Sequence, residues 1–189
     1  MTDLENYIGN YFGVVNLLEA KKIESFFYPK ILKKGSYFLK TGRNSSQLAF
    51  IKSGMLRIFV ETETKEVTQW ISTQGYFVTD LSSFLFGQTS RWNIQALEET
   101  EVYVINKEDY NTLSEVIPNW LTLEKMFLAK CFTILEDRIF SHLSLSAEER
   151  YQLFFSTHKE LFNQVPLQYI ASMLGMTPET FSRIRKNLK

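Results

Sequence analysis

The chain has 189 residues and is 44% apolar, enough to bury a core and too apolar for a disordered polymer. Its 21 basic residues balance 21 acidic ones, so total charge points to neither nucleic acid nor a membrane surface, and any basic site has to be local. Cys131 is the single cysteine, which excludes an internal disulfide or a multi-thiolate cluster; no basic segment leads into an apolar run at the N-terminus and no run could span a bilayer, so a cytoplasmic protein with no membrane partner is expected.

Residues 3 to 28 carry apolar side chains at helical spacing (Leu4, Ile8, Tyr11, Phe12, Val15, Ile23, Phe26, Phe27), and Pro29 is expected to close this helical lead-in. From Ile31 to Asn106 the texture changes to short β-branched and aromatic runs punctuated by glycines. Strands are expected over Ser36–Lys40, Leu48–Lys52, Leu56–Glu61, Val67–Ser72, Trp92–Leu97 and Val102–Ile105. Short, evenly spaced strands with glycine turns predict a jelly-roll-like β-roll, within an α+β chain.

After Pro118, residues 119 to 143 contain no helix breaker and should form one long helix with two adjoining apolar stripes. Trp120, Leu123, Phe127 and Ile134 make one stripe; Leu121, Leu128, Phe132, Leu135 and Ile139 make the other. The first is expected to pack on the roll and the second to meet a second copy in a parallel dimer, the alternative being a helix buried within one subunit. Cys131 and His142 read as packing residues, and His158 as a solvated loop residue. Ser146-Ala147-Glu148-Glu149 is a capping box that starts a helix running to about Phe155, and Pro166 is placed to open the next one.

The last segment, from Leu167, has a helix-turn-helix pattern. Small Ala171 permits a close crossing, Gly175 supplies the turn, and Ile170, Leu174, Met176, Phe181 and Ile184 fall on the inward side. Thr177 at the N-cap, Pro178 at the first helical position and Glu179 in the first turn specify the second helix by its own start signals. Its outer side carries Glu179, Ser182, Arg183 and Lys186, and these are the candidate base readers, with Thr177 at the leading end. Arg183 can donate two hydrogen bonds to guanine and Glu179 can accept from the cytosine amino group. Lys186, Arg185 and Lys189 are placed for phosphates; from Val165 onward four basic residues face one acidic residue, so the positive charge is local. The competing reading is an α-hairpin whose charged face is merely solvated.

On these residues the chain resembles the Crp/Fnr regulators, the cyclic-AMP-receptor-like family, along nearly its whole length. The strand order, the long helix, Leu145-Ser146-Ala147-Glu148-Glu149-Arg150-Tyr151 and Thr177-Pro178-Glu179-Thr180-Phe181-Ser182-Arg183-Ile184 are similar to variants found in Bacteroidetes. The resemblance implies a β-roll sensor over residues 1–118, a dimerisation helix over 119–144 and a DNA-binding domain over 145–189. It also implies a homodimer on a near-palindromic duplex operator, a small effector in the roll and RNA polymerase as a further partner. The family holds cyclic nucleotide with a Gly-Glu-Leu turn followed by Arg and a small hydroxyl residue. Gly75, Asp80, Leu81, Ser90 and Arg91 are the positions of this chain that could hold an effector. Thr79 stands where that glycine is expected, Asp80 is shorter than glutamate, and Ser90-Arg91 reverses the family's order, so cyclic AMP is disfavoured and no cofactor is required. Trp92 reads as core. No family-type wing is expected after the recognition helix, and with it fewer phosphate contacts and a shallower salt slope.

No nucleophile elbow, phosphate-cradling glycine loop or metal-spaced cluster is present in the sequence, so an enzyme is not expected. The rival to a DNA-binding regulator is a ligand-binding or protein-interaction module whose terminal hairpin serves only packing.

Overall fold

The structure is a computed structural model that describes residues 2–13 and 16–188. Val15 of the lead-in and Lys189 of the phosphate-facing set lie outside the described residues. The chain begins with α1 (Asp3–Phe12) and α2 (Leu17–Glu24), then β1 (Tyr28–Leu32), β2 (Tyr37–Leu39), β3 (Gln47–Ser53), β4 (Leu56–Glu61), β5 (Glu66–Ser72) and β6 (Phe77–Val78). After α3 (Leu81–Phe86) come β7 (Asn93–Ala96) and β8 (Thr100–Asn106), followed by α4 (Lys107–Val116) and α5 (Trp120–Ser144). The C-terminal helices are α6 (Ala147–Thr157), α7 (Leu161–Gln164), α8 (Leu167–Met173) and α9 (Pro178–Asn187).

The eight strands form two four-stranded sheets, ordered β1-β8-β3-β6 and β2-β7-β4-β5, with antiparallel pairing of β8 to both β1 and β3. This is the β-roll the strand spacing predicts. Pro29 corrects one expectation: it does not end a helix but sits inside β1, opposite Tyr103. β1 is an edge strand, the one place in a sheet where a missing N–H costs no ladder bond. The helical lead-in stops at Glu24, and Phe26 and Phe27 belong to the turn that follows. β1, the two-residue β6, α3, α4 and α7 lie outside the elements that the sequence spacing predicts.

The contacts divide the chain into two compact units, residues 1–58 with 71–131, and residues 59–70 with 132–189. In the first, Thr2 and Glu5 close a reciprocal capping box at the start of α1, and its buried face delivers Tyr11 and Phe12 into an aromatic cluster. Phe12 stacks on Phe127 at 4.9 Å, Tyr11 meets Phe77 at 5.3 Å, and Phe77 meets Phe127 at 5.0 Å. Trp120, Leu123, Phe127 and Cys131 are the buried side chains of α5. Burial pushes the Cys131 thiol up to about 12, so it stays an inert packing group, as its position implies. Ile134, expected on the same stripe, is only half-buried. Gly54, between β3 and β4, has φ +83°, and a Cβ there would come within 2.6 Å of the Glu99 carbonyl oxygen, so both conformation and space demand glycine.

In the second unit the tip of the β4–β5 hairpin meets the helices through main-chain groups. The Thr68 amide donates to Ser172 Oγ at 2.9 Å, and Arg138 Nη2 donates to the Gln69 carbonyl at 2.5 Å. The Ser146–Glu149 capping box is present at the start of α6, which runs to Thr157, two residues further than its apolar spacing suggests. His158 is not solvated: it caps α6, half-buried, with its ring stacked on Phe154 at 4.6 Å and edge-on to Trp70 at 6.3 Å. His142 is exposed rather than packed, although its ring lies 3.5 Å from where a Cβ on Gly175 would stand.

Candidate nucleic-acid interface

The C-terminal hairpin is built from the inside. Ile170 and Ala171 of α8 are fully buried, Phe181 is 1% exposed, and Leu174, Met176 and Ile184 are also buried. Every residue the pattern assigned inward is therefore inward. The turn between α8 and α9 depends on Gly175 at φ +69°, a conformation that costs an L-residue about 1 to 2 kcal/mol. Arg150, given no role by the sequence pattern, locks this turn: its Nε donates to the Leu174 carbonyl at 3.0 Å and its Nη1 to the Leu145 carbonyl at 2.6 Å. Behind α9, Phe181 sits against Tyr151 at 5.2 Å and Phe162 at 5.9 Å.

α9 starts as its cap signals require. The Thr177 hydroxyl accepts from the Thr180 amide at 3.2 Å and donates to Thr180 Oγ1 at 3.3 Å, and Pro178 occupies the first turn. Thr177 thus spends its hydroxyl on the helix, while remaining exposed. Glu179, Ser182, Arg183 and Lys186 are exposed as well, at the three- and four-residue spacing that puts them on one side. The Glu179 carboxyl is held below the usual carboxylate range, chiefly by its own backbone amide. At neutral pH it is an acceptor only, which suits an amino-group donor. Arg185 departs from this set: it is half-buried, acts on Tyr151, and with Lys159 lines an aromatic-floored cavity of about 410 Å³ on the other side of α9.

The segment from β6 to β7 holds Asp80, Leu81, Ser90 and Arg91 of the residues assigned to an effector, with Gly75 just ahead of β6, and it joins two of them, Asp80 and Ser90, to each other. Asp80 is 8% exposed and caps α3, its Oδ1 accepting from the Ser83 amide at 3.2 Å. Its Oδ2 accepts from the buried Ser90 hydroxyl at 2.8 Å, and that same hydroxyl accepts from the Trp92 amide at 3.0 Å. Thr79 Oγ1 donates to the Gln47 carbonyl at 2.9 Å. Leu81 is half-buried. Gly75 makes a turn at φ +81° and donates its amide to the Ile51 carbonyl at 2.8 Å. Arg91 is exposed with its guanidinium 4.7 Å over the Trp92 ring, and Trp92 is half-buried rather than core. Asp80 and Ser90 are thus brought together, while Gly75 and Arg91 share no hydrogen bond with them.

Along α5, Leu121, Leu128, Phe132, Leu135 and Ile139 are all exposed, from 37% at Leu128 to 73% at Leu121. Leu143, 82% exposed, extends the same stripe by another turn beyond Ile139, and Phe140 lies beside it; the four-residue spacing from Ile139 to Leu143 is the sequence signal for this extension. No helix among the described residues is long and apolar enough to cross a membrane.

Residues 29–115 match the family described as the cyclic nucleotide-binding domain, a span that holds all eight strands apart from Tyr28. No curated protein sequence matches the chain. Among solved structures, it is similar to the catabolite activator protein of Thermus thermophilus, at 22% identity over 94% of this chain and 85% of that one, with a TM-score of 0.58. It is also similar to the c-di-GMP-responsive global regulator CLP of Xanthomonas campestris, at 15% identity over 92% and 91%, with a TM-score of 0.66. FixK2 from Bradyrhizobium japonicum gives 16% identity over 86% and 84%, with a TM-score of 0.70. At these identities the likeness establishes the fold, and residues 29–115 are similar to the cyclic nucleotide-binding domain.

Proposed function

We propose that the protein is a Crp/Fnr-type transcription regulator that reads duplex DNA as a homodimer, with residues 1–118 as a sensor, 119–144 as the dimerisation helix and 145–189 as the DNA-binding part. The observation that carries this reading is α9: its inner side is sealed by Phe181 and Ile184, while Glu179, Ser182, Arg183 and Lys186 stand exposed together on the outer side. A helix so presented fits the major groove, with Arg183 donating to guanine and Glu179 accepting from cytosine. Lys186 is placed for phosphate.

The exposed stripe of α5 supports a second copy as its occupant. Five apolar side chains spaced seven, four, three and four apart form a coiled-coil seam, which a monomer would leave in water at about 25 cal/mol per Å². A dimer joined there would present two α9 helices to half-sites one helical turn, about 34 Å, apart. Cyclic AMP is disfavoured as the effector, because Asp80 and Ser90 satisfy each other, and a ribose hydroxyl would have to break that bond.

The reading is tested by selecting sites from random duplex DNA and footprinting the best one. Two similar half-sites about one helical turn apart support it; failure to enrich any sequence returns the hairpin to a packing role.

A further inference from the structure

The second unit contains a cavity of about 160 Å³ bounded by Trp70, Arg138, His142, Arg150, Thr157 and His158 together with apolar side chains of α6 and α8. Among the described residues no carboxylate lines it. Arg138 is its most costly member: burial pushes its guanidinium down to about 10. Of that group's five N–H donors, Nη2 alone makes a hydrogen bond among the described residues, to the Gln69 carbonyl. The Trp70 ring, 4.4 Å from the guanidinium carbon, offsets part of the desolvation. It supplies no counter-charge.

Arg150 and the rings of His142 and His158 line the same space. Arg150 is committed to two helix-end carbonyls and contributes charge rather than free donors. The His142 Nδ1 lies 2.9 Å from the Arg138 carbonyl oxygen, and the His158 Nδ1 lies 2.8 Å from Thr157 Oγ1, which leaves each ring's Nε2 for another partner. We infer that this cavity is a binding site for a small dianionic oxyanion of phosphate or dicarboxylate type, with Arg138 and His158 as its direct ligands. An oxyanion there would satisfy the idle guanidinium donors and neutralise a desolvated charge, the combination that makes charge-assisted hydrogen bonds strong.

Proton linkage gives the site a signature. Burial holds His158 below its ordinary value of 6.5, with Glu160 pulling the other way. A depressed histidine stabilises the fold above about 6.5 and withdraws that stability as pH falls. A bound oxyanion raises the same group, so binding takes up a proton and strengthens on acidification.

The test needs no DNA, so it is independent of the reading of α9. The chain has three tryptophans, and the Trp70 indole N–H signal, assigned by its loss in Trp70→Phe, is followed by NMR. Inorganic sulfate, a phosphate-shaped dianion that does not titrate near neutrality, and malonate are titrated separately against chloride at equal ionic strength. The expected result is a saturable shift of the Trp70 signal at millimolar concentration with at least one oxyanion, tighter below pH 6.5 than above it. Arg138→Gln should weaken binding about tenfold or more, and His158→Gln should flatten the pH dependence. If Arg138→Gln fails to fold, Arg138→Lys, which keeps the charge but loses the fork, should also bind more weakly. No saturable shift, an equal shift with chloride, or unchanged affinity in a folded Arg138 variant would overturn the assignment.

Discussion

Phe181→Ala is the sharpest test of how the C-terminal hairpin is held together. The side chain is 1% exposed and touches two rings, Tyr151 at 5.2 Å and Phe162 at 5.9 Å. Those rings brace each other at 5.4 Å, so neither can close on the space left behind, and the substitution should cost about 3 to 5 kcal/mol. Roughly 1 to 3 kcal/mol of that is ring–ring geometry and the remainder lost transfer and cavity terms. The unit comprises residues 59–70 and 132–189, and a unit of that length has a stability of roughly 4 to 10 kcal/mol. A third or more of it should therefore disappear. Amide hydrogen exchange across α6 to α9 reads the change directly, with the exposed neighbour Ser182→Ala as the control, expected within about 0.5 kcal/mol of the parent. A loss below about 1 kcal/mol for Phe181→Ala, or an equal loss for Ser182→Ala, refutes this packing argument.

Asp80→Ala removes the α3 cap and the Ser90 bond together and should lower stability by about 1 to 2 kcal/mol in urea unfolding; with the parent protein, cyclic AMP should leave the melting temperature unchanged. Ile139→Glu should give a monomer by sedimentation with the parent's helical content, because the side chain is 60% exposed in the isolated chain; a parent protein that is already monomeric would remove the dimer from the account. Gly175→Ala forces a left-handed φ of +69° on alanine and should cost about 1 to 2 kcal/mol by thermal unfolding.

What the sequence disclosed and what it hid follow from the range of the forces involved. The start of α9 was legible because Thr177, Pro178 and Glu179 act within a single turn, and the inward set from Ile170 to Ile184 because helix periodicity is local. The start of β4 at Leu56 was legible because Gly54 punctuates the chain just ahead of it. Pro29 misled because its meaning depends on β1 lying at a sheet edge, a fact of β8 pairing some seventy residues away. His158 and Trp92 were misplaced for the same reason: the Phe154 and Trp70 rings that cover one, and the half-exposed setting of the other, are set by tertiary packing. Arg150 and Arg138 carry no local signature, since Leu174 and Gln69, whose carbonyls they hold, lie 24 and 69 residues away along the chain. The Asp80–Ser90 bond shows the limit for the site: the residue types were visible, but only the folded loop reveals that they satisfy each other.

The measurement closest to the central claim is fluorescence anisotropy of a selected operator with the parent protein and with Arg183→Ala, at fixed salt. Sequence-specific binding should weaken by about 1 to 3 kcal/mol in the variant, with relaxed preference at one base pair of each half-site. Equal affinity of the two proteins, or a parent protein that binds every duplex alike, would contradict the claim.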